Sequence, residues 1–288
     1  MALNKSILLT IDVEDWFQVE NLRAWFPPAT WDLQPERVIQ NTRRLLDLFD
    51  SFQPLQIKAT FFVLGQVAQS APSLVREIQH RGHEVASHGF GHLMCTQLSR
   101  DDLEKDLICS KALIEDIVGS PVYGYRAPSF SVNDHILKTI RQVGFQYDSS
   151  YNSFSRHNRY GKISANGQQK KGIAISFSDL FYEIPISNLK VGNQIIPWGG
   201  GGYFRLTPFF MFKAGVRQIL KNNDAYMFYI HPWEIDPEQP RIKVRKSIKT
   251  WCHYLNLKKT YPRLKLLINT FKKLNFQTCS QYLTQQIR

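Results

Sequence analysis

Short apolar runs rich in Val, Ile, Leu and Phe alternate along the chain with stretches in which apolar residues recur every three or four positions. The short runs are typical of strands and the recurring pattern of amphipathic helices, and their alternation predicts βα units around a mainly parallel sheet. The predicted strands cover residues 6–11, 59–64, 84–87, 123–125, 145–148, 182–186 and 225–230. The predicted helices cover residues 35–49, 73–80, 99–118, 133–142, 208–220 and 262–274. Residues 152–172, which are polar and contain glycine, predict a long surface loop.

Length and composition favour one domain. The 288 residues contain neither an internal repeat nor a low-complexity linker, so we expect a single domain over residues 1–288, with residues 241–288 packed on it as a basic extension. No apolar stretch approaches the roughly 18 residues that cross a bilayer, and the N-terminus lacks the small-residue cleavage site of a signal peptide. These features indicate a cytoplasmic protein. Four widely separated cysteines favour reduced thiols over disulfides or a zinc knuckle.

The net charge of +12 lies at the end of the chain. Of the 36 Lys and Arg residues, 12 follow Pro240 together with none of the 24 Asp and Glu residues, so the charges of residues 1–240 balance. A basic extension of this kind can attract an acidic polymer or make peripheral contact with an anionic membrane, or it can be an ordinary solvated helical face. It resembles no nucleic-acid module, and we expect no nucleic-acid partner.

Polar side chains follow the first and third predicted strands, where α/β proteins place their sites. Asp12, Glu14 and Asp15 are three carboxylates within four residues, which repel one another unless a cation or an arginine is near. The alternative is an acidic turn or helix cap. His88 and His92 are four residues apart, so one helical turn would place both imidazoles on one face. Two histidines and one carboxylate commonly bind zinc and leave a position open, although this spacing also arises by chance.

Two further clusters follow later strands. Arg126 precedes an Ala-Pro step and could hold a carboxylate in a fixed orientation, the alternative being a surface ion pair. His231 ends an apolar strand and precedes Pro232, and a histidine there can donate a proton to a leaving amine. The alternative for His231 is a buried, hydrogen-bonded histidine. His83 points the other way along its strand from the His88 pair and is expected to be structural.

The order of these four clusters resembles the polysaccharide deacetylase family, the family 4 carbohydrate esterases that share the nodulation-factor deacetylase homology domain. That family has adjacent aspartates after the first strand, then His-(Ser/Thr)-x-x-His, Arg-x-Pro, and a late strand that ends in histidine. The corresponding residues here are Asp12 with Glu14 or Asp15, His88 with His92, Arg126 with Pro128, and His231. The resemblance covers most of the chain and implies an α/β fold, a distorted (β/α) barrel of about seven parallel strands.

The chain also resembles one branch of that family, which accompanies exopolysaccharide and exosortase gene clusters in Gram-negative bacteria. The likeness rests on Asp-Val-Glu-Asp-Trp at 12–16, the glycine run at 199–202, His-Pro-Trp-Glu at 231–234, and residues 251–256. Two positions depart from the family pattern, because Val13 follows Asp12 and Gly89 replaces serine or threonine. By resemblance to members with Asp-x-Asp, Asp12 would be the base and Glu14 the metal ligand, and Asp15 stays an alternative ligand.

The resemblance implies a hydrolase that removes N-acetyl groups from an amino-sugar polysaccharide or its lipid-linked precursor. One divalent metal ion, expected to be Zn²⁺, would bind the histidine pair and one carboxylate. Asp12 would take a proton from water while Arg126 orients it, and His231 would protonate the departing amine. The Ser129 N–H would face the oxyanion. The expected substrate-binding residues are Pro128, Ser129, Trp198, Tyr203 and Trp233, with Trp16 as a further aromatic candidate that, like the others, can instead be core.

Two other functions compete with deacetylation. The first is hydrolysis of another non-peptide C–N bond on the same fold, such as a small cyclic amide or imide, in some relatives without a metal. The second is a non-catalytic carbohydrate-binding protein of an export machine. The complete set of expected ligands and catalytic residues favours the deacetylase. The apparent absence of a signal peptide suggests a precursor substrate at the inner face of the membrane.

Overall fold

The first strand, β1, is Ser6–Val13, and all eight of its residues are buried. Its near-continuous apolar run is typical of a parallel strand that is covered on both faces. The computed structural model describes residues 5–154, 159–242 and 248–287. The other strands in these residues are β2 Ala59–Val63, β3 Glu84–Ser87, β4 Gly124–Tyr125, β5 Tyr147–Asp148, β6 Lys170–Lys171, β7 Ala174–Ser178, β8 Phe181–Glu183, β9 Asn188–Val191, β10 Gln194–Pro197, β11 Ala225–Ile230 and β12 Asn275–Phe276.

The main sheet has the order β11-β1-β2-β3-β4-β5-β8-β7-β6, with β12 paired in parallel to the start of β1. All neighbours from β11 to β8 are parallel, which confirms the expected core of about seven parallel strands. The Met227 N–H donates to Ser187 Oγ at 2.9 Å, and the Tyr229 N–H donates to the Gly199 carbonyl at 2.7 Å. The sheet therefore curls until the segments after β8 and β10 meet β11.

Helices cover this curled sheet. They are α1 Val38–Asp50, α2 Gly65–Ser70, α3 Pro72–His80, α4 Arg100–Val118, α5 Asp134–Gln142, α6 Gly201–Leu206, α7 Phe209–Asn222, α8 Ile248–Tyr254, α9 Leu257–Thr270 and α10 Cys279–Ile287. Ser99 caps α4 by accepting a hydrogen bond from the Asp102 N–H at 3.2 Å. In the described parts of the chain, no helix is long and apolar enough to cross a bilayer.

The main differences from the predicted elements have local causes. Helix α1 begins at Val38 instead of residue 35, and α9 begins at Leu257 and contains Pro262. The hairpins β6–β7 and β9–β10, the short β12, and helices α2, α6, α8 and α10 were not predicted, because most are short and α6 begins in a glycine run. Of the predicted loop at 152–172, residues 155–158 lie outside the described residues, and the rest contains only β6.

The described part of the C-terminal segment packs on the sheet. Leu264, Leu267 and Ile268 of α9 belong to the main apolar core. Helix α10 covers the end of the barrel where the parallel strands begin, and its Cys279 N–H donates to Thr60 Oγ1 at 2.9 Å. All four cysteines are free, with Cys279 buried. The cleft described below lies at the opposite end of the strands.

His83 is a buried histidine within the apolar core. Its ring lies 5.7 Å from the Phe49 ring and 5.2 Å from the Phe61 ring, and neither ring nitrogen has a hydrogen-bond partner among the described residues. Burial, with smaller contributions from the charges of Lys58 and Arg81, lowers the pKa of His83 to about 4. The folded protein therefore keeps this imidazole neutral at a pH where an unfolded chain protonates it.

We expect the free energy of unfolding to fall as the pH is lowered from about 6.5 towards 4, because the unfolded chain binds a proton that the folded chain rejects. The pKa difference corresponds to a loss of up to about 3 kcal/mol from this residue. Urea unfolding at pH 7.5 and at pH 4.5 measures the free energy of unfolding at each pH. In His83→Leu, the decrease between the two pH values should be smaller by the contribution of His83. The exposed His135→Gln is the control and should leave it unchanged. An equal pH difference in His83→Leu and wild type would contradict the assignment.

Candidate active site and metal site

A cleft of about 820 Å³ lies at the carboxyl ends of the parallel strands. Asp12 lies in β1, and His88, Arg126 and His231 each directly follow the last residue of β3, β4 and β11. Carboxyl ends of parallel strands meet at one edge of a sheet, so residues far apart in sequence converge there. The cleft is lined in part by Asp12, Glu14, His88, His92, Ser129, Tyr203, His231 and Trp233.

Glu14, His88 and His92 form one buried group whose possible ligand atoms all lie within 4.8 Å of one another. Nδ1 of His88 lies 2.7 Å from the Arg126 carbonyl, which can only accept, so Nδ1 carries the proton and Nε2 keeps its lone pair. Burial is the main cause that lowers the pKa of His88 to about 4 and keeps the ring neutral. Nε2 of His92 lies 2.5 Å from Glu14 Oε2.

The donor set of this group fits a divalent metal ion. Glu14 Oε2 is buried, and His92 Nε2, its close neighbour, does not meet it with the geometry of a hydrogen bond. Burial raises the pKa of Glu14, but the interactions with His92 and His231 outweigh burial and hold that pKa below its usual range. A buried, charged carboxylate next to two imidazoles is the donor set of a metal site with two histidines and one carboxylate.

The histidine pair is held by a turn, not by the helical turn that the spacing suggested. Gly89 has φ +76°, a left-handed backbone that glycine adopts without strain, and a Cβ there would lie 2.8 Å from Asp106 Oδ2. Asp106 accepts hydrogen bonds from the N–H groups of Phe90 at 2.9 Å and Gly91 at 3.4 Å. Glycine therefore stands where the family usually has serine or threonine because the backbone here is left-handed. Asp106 was not predicted as part of the site.

Asp15 does not join the histidine pair. Its Oδ1 accepts from the Trp16 N–H at 2.8 Å, and its Oδ2 accepts from the N–H groups of Arg37 at 2.6 Å and Val38 at 2.9 Å. Burial raises the pKa of Asp15 to about 6, although these hydrogen bonds act in the opposite direction. Asp15 is thus the acidic cap at the start of α1. Of the two carboxylates left open by the sequence, the structure brings only Glu14 to the histidines.

Asp12 is held by a buried arginine. Arg126 Nη1 donates to Asp12 Oδ1 at 2.6 Å and to Thr10 Oγ1 at 2.8 Å. Nε and Nη2 donate to the carbonyl and hydroxyl of Ser149, each at 2.9 Å, and Nη2 also lies 3.7 Å from the Met227 sulfur. All five N–H donors of the guanidinium therefore have partners. The second Asp12 oxygen, Oδ2, lies 3.8 Å from Nε2 of His231.

The segment that follows Arg126 rests on a second buried layer. The Ala127 N–H donates to Ser150 Oγ at 2.8 Å, and that hydroxyl donates to Asp148 Oδ1 at 2.7 Å. Burial raises the pKa of both Asp148 and Glu183, which are neighbours. This layer fixes the backbone of the Arg-Ala-Pro-Ser segment beneath the cleft.

His231 is oriented by two residues that sequence reasoning missed. Nδ1 of His231 lies 3.0 Å from Glu234 Oε2, which also accepts from the His231 backbone N–H at 3.1 Å. Arg205 Nε donates to the other Glu234 oxygen at 2.9 Å. Burial lowers the pKa of His231, but the charges of Glu14, Glu234 and Asp12 and the hydrogen bond to Glu234 raise it to about 9. His231 Nε2 therefore carries a proton towards the cleft.

Two tryptophans proposed as sugar-stacking residues lie in the core instead. Trp198 is buried, stacks on Phe212 with ring centroids 5.5 Å apart, and donates from Nε1 to the Phe212 carbonyl at 2.9 Å. Trp16 is also buried, and its Nε1 donates to the Pro35 carbonyl at 3.1 Å. Neither ring lines the cleft. Each indole N–H donates to a backbone carbonyl inside the protein.

The other proposed substrate-binding residues lie at or below the cleft. Tyr203, Trp233 and Ser129 line it, whereas Pro128 is buried beneath and does not. Ser129 has φ +55°, an uncommon left-handed backbone for serine. Trp233 donates from Nε1 to Glu14 Oε1 at 3.2 Å, so its ring is fixed against the candidate metal ligand. Trp251 of α8 also lines the cleft and was not predicted as part of it.

Comparisons with known proteins divide the chain in two. Residues 29–147 match the family described as "Polysaccharide deacetylase", and residues 149–284 match a "Domain of unknown function (DUF3473)". His88, His92 and Arg126 lie in the first match and His231 in the second, while Asp12 and Glu14 precede both. The cleft therefore combines residues from both matched regions and from the strand before them.

Two curated relatives each match about a third of the chain. A peptidoglycan-N-acetylglucosamine deacetylase of Bacillus cereus is 33% identical over 105 residues, which are 36% of this chain and 47% of the relative. A chitooligosaccharide deacetylase of Sinorhizobium fredii is 30% identical over 99 residues, which are 34% of this chain and 46% of the relative. The matches thus span about half the length of these relatives.

Solved structures share the fold over almost the whole chain. A protein of Mycobacterium smegmatis named for the polysaccharide deacetylases has a TM-score of 0.63 at 20% identity, covering 99% of this chain and 91% of the other. A Bacillus anthracis protein described as a carbohydrate esterase family 4 pseudoenzyme has a TM-score of 0.50 at 13% identity, covering 99% and 66%. At such identities the likeness shows the fold alone. With the matched family region, the named relatives and the fold in agreement, residues 29–147 of this chain belong to the polysaccharide deacetylase family.

Proposed function

We propose that this protein is a metal-dependent hydrolase that removes N-acetyl groups from an amino-sugar polysaccharide or its precursor. The observation that carries the proposal is the arrangement of three groups in one cleft: a carboxylate held by a buried arginine, a candidate metal group, and a histidine held by Glu234. His231 Nε2 lies 3.8 Å from Asp12 Oδ2 and 3.5 Å from Glu14 Oε1, so acid, base and ligand face one point. The matched relatives are named as deacetylases of peptidoglycan and chitooligosaccharide, which supports this chemistry.

Glu14, His88 and His92 would hold the metal ion, for which we propose Zn²⁺ because two imidazoles and one carboxylate suit it. When bound, such an ion acts as a Lewis acid towards the amide carbonyl and the attacking water. The hydrogen bond from His88 Nδ1 to the Arg126 carbonyl fixes the ring so that Nε2 faces the site.

The protons are moved by the chain's own side chains. Asp12 accepts the proton of the attacking water on Oδ2, because Arg126 already occupies Oδ1 and keeps the carboxylate oriented. The backbone N–H of Ser129, which lines the cleft, would donate to the developing oxyanion. His231 gives the proton on Nε2 to the departing amine, while Glu234 holds Nδ1 and stabilises the charged ring.

The substrate is proposed to be a carbohydrate chain. The cleft of about 820 Å³ is larger than a small cyclic amide needs, and the rings of Tyr203, Trp233 and Trp251 line it. Aromatic faces suit the apolar faces of pyranose rings. The resemblance to the exopolysaccharide-associated branch supports a role in exopolysaccharide biosynthesis in the cytoplasm, on a nascent or lipid-linked precursor.

Purified protein incubated with zinc should retain about one Zn²⁺ per chain, because two imidazoles and a charged carboxylate provide three ligands. Metal analysis of the dialysed protein measures this ratio. His88→Ala and Glu14→Ala should each lose the ion. His83→Leu, which removes a histidine outside the cleft, is the matched control and should keep it. Wild-type protein that binds no divalent metal would refute the proposed site.

Asp12→Asn should lower acetate release from N-acetylated oligosaccharides by roughly 10²–10⁴-fold, because an amide cannot accept the water proton. The same variant should still bind zinc, since Asp12 is not among the three candidate ligands. Asp101→Asn, at an exposed position on α4, is the control and should keep full activity. Full activity of Asp12→Asn would rule out this residue as the base.

Glu234→Gln should lower kcat by roughly tenfold to a hundredfold with little change in KM, because glutamine no longer stabilises the charged His231 ring. Steady-state kinetics together with the melting temperature separates this effect from a loss of folded protein. The exposed Glu238→Gln, four residues further on, should leave both constants unchanged. A variant with normal kcat would show that Glu234 has only a structural role.

A further inference from the structure

Large apolar side chains are exposed around the mouth of the cleft. Leu206 and Trp251 line the cleft and are 53% and 54% exposed. Phe210 and Met211, in the first turn of α7, are 69% and 48% exposed. Side chains of this size rarely stay in water as a group unless they meet another apolar surface.

These side chains lie at the same end of the barrel. Helix α7 directly precedes β11 and runs back along it, so its first turn lies at the end of the sheet where His231 begins. Helix α9 is fixed against the neighbouring α6, because Arg263 Nη1 donates to the carbonyls of Phe204 at 3.0 Å and Arg205 at 2.9 Å. Leu266, three residues beyond Arg263 on α9, is exposed as well.

The helices of this surface carry charge of one sign. No acidic residue occurs between Glu183 and Asp224, or after Glu238, so α6, α7, α8 and α9 contain no carboxylate side chain. The outer side of α9 carries three exposed lysines. The docking face is defined here as Leu206, Phe210, Met211, Trp251, Lys258, Lys259, Lys265 and Leu266.

We propose that the docking face binds the surface of an anionic lipid bilayer, with the mouth of the cleft turned towards the lipid headgroups. Exposed aromatic and aliphatic side chains enter the boundary between headgroups and acyl chains, and lysines around them attract anionic headgroups. A protein partner fits less well, since lysine is depleted in protein interfaces. On the proposed deacetylase function, this orientation presents the cleft to an amino sugar carried on a membrane lipid.

Flotation of the full chain with vesicles tests the proposal without any substrate. Vesicles of phosphatidylcholine containing phosphatidylglycerol should bind the protein at least about tenfold more tightly than phosphatidylcholine alone. Phe210→Ser should weaken this binding several-fold, while Leu180→Ser should not. Leu180 is 80% exposed but precedes β8, at the end of the barrel away from the cleft. Phe210 does not line the cleft, so acetate release from a soluble oligosaccharide should be unchanged.

The lysines are tested by charge removal at matched positions. The triple variant replaces Lys258, Lys259 and Lys265 with glutamine, and its control replaces Lys105, Lys138 and Arg141, which are exposed on α4 and α5. The first should lose at least about tenfold in affinity for anionic vesicles, and the control much less. Melting temperatures establish that each variant is folded.

Three results would overturn the proposal. One is equal binding to neutral and anionic vesicles, or to neither. Another is full vesicle binding by Phe210→Ser. The third is tight binding to a soluble acidic polysaccharide that Phe210→Ser leaves intact, which would reassign the face to a polyanion. The flotation assay contains no substrate, so it does not depend on the deacetylase activity. Vesicle binding without acetate release would refute the deacetylase function and not the docking face. Acetate release without vesicle binding would refute only the docking face.

Discussion

The buried charge of Arg126 is the constraint on which the interior of this barrel depends. Its guanidinium is inaccessible to water, lies 4.1 Å from the Phe62 ring centroid, and is neutralised by Asp12. Removing one partner of a buried ion pair typically costs about 3–5 kcal/mol, because the other charge is left without compensation. The same contact that keeps the interior intact also orients the proposed base. Stability and chemistry therefore rely on one interaction, and the fold cannot give up the arginine without losing the position of Asp12.

The sequence predicted the parts of the fold that follow from apolar patterning and strand ends. The seven parallel strands and the placement of Asp12, His88, Arg126 and His231 at their carboxyl ends follow from polar residues that end buried runs. The choice between Glu14 and Asp15 could not be made in this way. It depends on where the backbone of α1 begins, more than twenty residues later, since α1 provides the N–H groups that bind Asp15.

Contacts between distant segments account for what the sequence did not predict. Arg205 and Glu234 meet only because α6 folds beside the turn after β11, and nothing in the local pattern of either residue indicates the other. Trp198 was a candidate for binding a sugar because its ring is aromatic, yet its indole N–H donates to the Phe212 carbonyl inside the core. Exposure of an aromatic ring is decided by tertiary packing, which periodicity cannot show.

The pairing of β1 has a consequence for how the chain folds. Ser6 pairs with Ala225 on β11 and with Asn275 on β12, so the strand that carries Asp12 obtains these neighbours only from the last part of the chain. Contacts of such long sequence separation form slowly, because a large loop must close first. During synthesis, β1 therefore leaves the ribosome well before β11 and β12, the strands with which it pairs. Until then the unpaired edge of β1 can pair with other chains, which is a general route to aggregation.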